Sequence, residues 1–140
     1  MLINKLIILS VIVLLVCVNS ALAEIKYGLW EITTKTEIKG MPGQMPTSIV
    51  RQCLTKNEPV PKAKGKSNDC KMKDQKISGE TVTYAMECKG KDSVVLTSGT
   101  MTYKGNTFTG DSTTNIKSKG QPQMQMNNKT SGKYICPCTK

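Results

Sequence analysis

The chain of 140 residues contains no histidine, which removes the commonest general base and a principal metal ligand. Large aromatic groups are nearly as scarce. Trp30 is the only tryptophan and Phe108 the only phenylalanine, so any core must be thin. Arg51 is the only arginine among the basic residues, and lysine without a guanidinium fork is a poor device for specific phosphate recognition. No glycine-rich phosphate loop or nucleophile elbow occurs. The acidic residues, from Glu24 to Asp111, show no paired spacing of the kind glycosidase or metal chemistry requires. These absences point away from an enzyme and away from a resident cofactor.

What is present begins with an address. One charge, Lys5, precedes an apolar run from Leu6 to Val18, and Ala21-Leu22-Ala23 has the small-x-small form of a cleavage site. This is the layout of a secretory signal peptide over residues 1–23, with an apolar centre too short to span a bilayer. Val16 stands before Cys17 where a lipoprotein signal needs a small residue, which argues against lipid attachment there. Cleavage would release residues 24–140 as one domain, without a transmembrane segment, into the periplasm or the exterior. The formal charge of +10 is carried almost wholly by scattered lysines. Export makes nucleic acid an implausible partner, and an anionic envelope surface the natural one if the charge has a target. The sequence favours the plainer reading, a self-repelling surface that keeps strand edges apart.

The patterning is that of an all-β chain. Trp30, Ile32, Thr34, Thr36 and Ile38 alternate with Glu31, Thr33, Lys35 and Glu37, so Ile25 to Ile38 reads as a half-buried strand. Gly40-Met41-Pro42-Gly43 breaks it, and Thr47 to Leu54 resumes. Thr55 and Glu58 resemble a capping box, but Pro59 and Pro61 limit any helix to a turn or two. Cys70–Ile77 and Glu80–Cys88 form a hairpin about Ser78-Gly79, with Val82, Tyr84 and Met86 on one stripe. Ser93–Tyr103, Thr107–Lys117 and Gln123–Tyr134 complete about seven strands joined by short turns. The expected fold is an antiparallel meander, a strongly twisted sheet or partly open barrel.

Removal of the signal leaves five cysteines in an oxidising compartment: Cys53, Cys70, Cys88, Cys136 and Cys138. Cys70 and Cys88 flank the hairpin turn almost symmetrically and are expected to bond. Cys53 is then left to pair with Cys138 or Cys136, tying the tail to the second strand. One thiol remains over, open to exchange, intermolecular bonding or idleness.

Gly28-Leu29-Trp30-Glu31, the Gly40-Met41-Pro42 turn, Cys53-Leu54-Thr55, the Cys70 and Cys88 pair, Gly99-Thr100-Met101 and a terminal cysteine resemble, in order and spacing, the bacterial proteins filed as domain of unknown function 3617. The likeness runs from about Ile25 to Cys138. It implies an exported, disulfide-bonded protein of Gram-negative bacteria, and no activity. Two departures stand out: the prolines after Cys53-Leu54-Thr55 shorten a helix common there, and two cysteines rather than one end the chain.

The functional expectation is a non-catalytic envelope module, binding or structural, that uses a sheet face. Trp30, Tyr84, Tyr103 and Phe108 are the candidate contacts for a small apolar ligand or another envelope protein, and each serves equally as core filling. The alternative is a soft-metal protein. Met41 and Met45 flank a Pro-Gly turn, and Met124 and Met126 share a strand face; thioethers, aided by cysteine, suit Cu(I). Against that, methionine also adapts to shallow cores.

Overall fold

A computed structural model describes residues 24–43, 45–62 and 69–139. The segment read as a signal peptide, residues 1–23, lies outside the described residues, as do Lys64 and Lys66. The strands are β1 (Gly28–Ile38), β2 (Ser48–Leu54), β3 (Cys70–Ser78), β4 (Thr81–Lys89), β5 (Ser93–Lys104), β6 (Thr107–Ser118) and β7 (Met124–Cys136). They form one seven-stranded sheet in the order β2-β1-β7-β6-β5-β4-β3, antiparallel throughout. No helix occurs among the described residues, and hence none long and apolar enough to cross a membrane. Thr55 and Glu58 do meet, with the Glu58 amide donating to Thr55 Oγ1 at 3.1 Å, but the turn ends at Pro59.

From β3 to β7 the chain is a meander. Two of its hairpin loops carry Gly79 and Gly105, both at φ +59°, a conformation that costs glycine nothing. The first pair of strands departs from chain order. β1 lies between β2 and β7, paired with β7 from Leu29↔Cys136 to Ile38↔Met126. β2 and β3, consecutive in sequence, therefore stand at opposite edges of an open sheet, and β3 is exposed along its whole length. Lys71, Lys73 and Lys76 on that edge oppose pairing with another chain.

Strand alternation sorts the side chains onto two faces. Trp30, Ile32, Leu54, Val82, Met101, Tyr103 and Phe108 are all buried on one of them, here the inner face. Trp30 is the hub: its ring centroid lies 5.7 Å from Tyr103, 5.2 Å from Phe108 and 5.5 Å from Tyr134. Edge and tilted ring pairs of this kind contribute about 0.5–1.5 kcal/mol each beyond burial. The indole N–H donates to the Lys26 carbonyl at 3.1 Å, so its one polar atom is satisfied. Gly132 lets the sheet close against this cluster, because a Cβ there would overlap the Phe108 ring.

The link that leaves β2 covers the cluster from outside the sheet. Pro59 and Val60 are buried, and the Tyr103 hydroxyl donates to the Pro59 carbonyl. Ile25 adds a second cover from the chain preceding β1. The core thus occupies one end of the inner face: the starts of β1 and β6, the ends of β2, β5 and β7.

Candidate functional site

Following the strand registers away from the core, the inner face changes character twice. The first change is to a polar ladder. Thr36 Oγ1 donates to Asn128 Oδ1 at 2.8 Å, and Asn128 Nδ2 donates to Thr114 Oγ1 at 3.2 Å and Ser112 Oγ at 3.4 Å. Thr114 and Thr97 hydroxyls lie 3.1 Å apart, and the Tyr84 hydroxyl bonds Ser112. The ladder crosses β1, β7, β6, β5 and β4. No buried side-chain nitrogen or oxygen among the described residues lacks a partner, so this polar band sits on the inner face without an unmet desolvation cost. Burial raises the Tyr84 hydroxyl pKa, with the Ser112 bond opposing.

Beyond the ladder the face becomes apolar again. The next cross-strand row runs Met72, Met86, Thr97, Thr114, Met126 and Ile38, so the two ladder threonines stand between two apolar pairs, and Val95 and Ile116 lie in the row after it. Met86 is buried yet stands outside the aromatic cluster, Met72 is 38% exposed, and the others are half-buried. Among the described residues no ring lies in this band, and the described part of the link that caps the core, through Lys62, covers the opposite end. It is a shallow, largely apolar band with the hydroxyls of Thr97 and Thr114 at its middle.

Disulfides sit at both ends. Cys70 and Cys88 are directly opposed in the β3–β4 register, with Cα atoms 3.9 Å apart, beside the uncapped strip. Cys53 pairs with Cys138, Cα atoms 5.8 Å apart, at the core end. The register explains why Cys138 rather than Cys136 is the partner. Cys53 and Cys136 both oppose Leu29 from either side of β1, so they are two strand spacings apart, roughly 10 Å. Cysteines more than about 7 Å apart at Cα are beyond bridging without backbone movement. Cys138, two residues past the end of β7, is free to cross over β1. Cys136 remains a free, half-exposed thiol.

The residues singled out in the sequence divide sharply. Trp30, Tyr103 and Phe108 are 0–2% exposed and are spent on the core, with no open face left to them. Tyr84 is 9% exposed and joins the polar ladder. Tyr27 and Tyr134, which composition alone did not single out, pack on the same cluster. Tyr134 was findable, since it stands two residues from Gly132 just as Trp30 stands two from Gly28. Met41 and Met45, by contrast, lie on the β1–β2 connection, and Met124 and Met126 open β7; Ile38↔Met126 pairing brings all four to the uncapped end. Among the described residues no group of three His, Cys, Asp or Glu side chains converges on a metal-sized space. The opposite face carries a shallow polar groove of about 610 Å³ over the middle strands, whose outward side chains include Thr83, Thr100, Asp111, Thr113 and Lys129.

A family model described as a protein of unknown function (DUF3617) matches residues 25–138. The chain belongs to that family. No curated protein and no solved structure matches it. The family match spans every strand and both disulfides.

Proposed function

We propose that this is a non-catalytic envelope protein of the periplasm or exterior that holds a small apolar ligand on the uncapped half of its inner face. The observation that carries the reading is the separation of the two apolar zones. Met72, Met86, Val95, Ile116, Met126 and Ile38 stand apart from the aromatic cluster, are, Met86 excepted, only partly covered among the described residues, and surround Thr97 and Thr114, polar partners for a ligand's own polar end. Methionine-rich apolar surface adapts to varied ligand shapes. The signal-like residues 1–23 and the paired cysteines support export.

Native mass spectrometry of the protein purified from its own envelope fraction tests this. The expected result is a retained apolar adduct, lost in the Ile116→Asn variant. A bare protein that also fails to bind a fluorescent fatty acid overturns it. The same fractionation, with amino-terminal sequencing, is expected to show a chain beginning at Glu24.

A second reading, Cu(I) binding, is favoured by one observation: the fold gathers Met41, Met45, Met124 and Met126 at a single end although they are remote in sequence. Titration of Cu(I) against a competing chelator separates the readings, since affinity weaker than micromolar removes the copper one.

A further inference from the structure

We propose that the uncapped end of the sheet docks on the surface of an anionic lipid bilayer. The β1–β2, β4–β5 and β6–β7 connections all lie at that end. Met41 is 60% exposed and Met45 45% on the first of them, and Met124 is 40% exposed where the third enters β7. These unbranched apolar chains are dehydrated on entering the headgroup boundary, which favours an interfacial seat. Lys39, Lys91, Lys117 and Lys119 stand on or beside the same connections, exposed, and form no ion pair among the described residues. The acids at that end outside an ion pair are Glu37, Asp69 and Asp92, fewer than the four lysines, so positive charge prevails. Glu87 is already engaged by Lys73 at 3.8 Å and Lys89 at 3.4 Å.

The chemistry fits a charged surface better than a single anion. Lysine is a point charge on a flexible stem, which reaches many phosphates loosely and none in a fixed fork. Basic residues near an anionic leaflet attract it additively, and the attraction falls within a Debye length. At the core end, several cations are instead held internally. Lys26 donates to Asn106 Oδ1 at 2.9 Å and lies 4.0 Å from the Tyr134 ring centre, and Arg51 bonds Glu31 at 3.0 Å. Exposed methionine and unpaired lysine coincide on the β1–β2 and β6–β7 connections, and Lys91 adds its charge from the β4–β5 connection.

The test is co-sedimentation of the disulfide-bonded protein with vesicles of phosphatidylglycerol and phosphatidylcholine, or of phosphatidylcholine alone, at low and high salt. Binding is expected to the anionic vesicles only and to weaken as salt rises. The combined Lys39→Gln, Lys91→Gln, Lys117→Gln, Lys119→Gln variant is expected to lose affinity at about fivefold per lysine. Met41→Ser with Met45→Ser and Met124→Ser is expected to weaken binding about tenfold or more while leaving its salt dependence in place. The combined Lys56→Gln, Lys76→Gln, Lys104→Gln, Lys133→Gln variant, at the core end, removes the same four charges and controls for net charge. Equal binding to neutral vesicles, no binding to either, or an equal loss in the control variant overturns the proposal. Docking is independent of ligand retention: a protein that is bare in native mass spectrometry is still expected to sediment with anionic vesicles.

Discussion

The two ends of the inner face are made by the same strands, yet among the described residues one is packed and the other is bare. At one end Trp30, Tyr103, Phe108 and Tyr134 interlock, and Pro59 and Val60 close over them. At the other, flexible methionines and a few aliphatic chains lie partly open to water. Between them runs a ladder of hydroxyl and amide groups that satisfy one another. A chain with so few large side chains concentrates them to make one sufficient core, and covalent bonds at both ends supplement it.

The comparison breaks most visibly at the disulfides. Replacing Cys53 or Cys138 with serine opens a loop spanning 85 residues and is expected to cost about 4–5 kcal/mol in urea unfolding. Loss of Cys70–Cys88, with a separation of 18, is expected to cost about 3 kcal/mol. Cys136→Ser is expected to leave the midpoint unchanged, and alkylation of the unreduced protein to label Cys136 alone. Labelling of Cys138 in its place would reverse the assignment of partners.

Side-chain truncation sharpens the same contrast. Trp30→Ala is expected to cost about 3–5 kcal/mol, whereas Met126→Ala, in the bare strip, should cost about 1 kcal/mol or less. Gly132→Ala forces a methyl group against Phe108 and is expected to cost about 1–3 kcal/mol by overpacking. Equal effects at Trp30 and Met126 would mean that the two ends are one continuous core.

Tyr103→Phe is expected to cost about 1 kcal/mol at neutral pH, through loss of the bond to the Pro59 carbonyl. Its signature is pH dependence. Burial, with added repulsion from Tyr27 and Tyr84, raises the Tyr103 hydroxyl pKa well above the ordinary value. The folded state therefore holds this proton more tightly than the unfolded chain does. That contribution is whole below about pH 10, the pKa of a free tyrosine, and is lost progressively as pH rises above it. The wild-type protein is expected to lose stability in this alkaline range, and the phenylalanine variant to lose less.

Much of the sheet was legible in the sequence because period-two alternation and glycine turns are local signals. The Trp30 stripe, the hairpin about Gly79 and the Cys70–Cys88 bond all follow from neighbours in the chain. Pairing of β1 with β7 is not local: Thr36 meets Asn128 across 92 residues, and only the terminal cysteines hinted that the ends of the chain meet. Composition likewise could not say whether scarce aromatics are displayed or consumed, and here all four candidates belong to the buried core cluster, Tyr84 at its margin. The polar ladder did leave a trace. Thr34 and Thr36 continue the Trp30 stripe in phase, and polar residues in phase with a core mark where it stops.

Native-state hydrogen exchange on the disulfide-bonded protein tests the division of the sheet most directly. Amides of Trp30, Ile32, Phe108 and Gly132 are expected to open only with global unfolding, while amides near Ile38, Met126 and Ile116 on the same strands exchange at least about a hundredfold faster. Uniform protection along β1, β6 and β7 would contradict it.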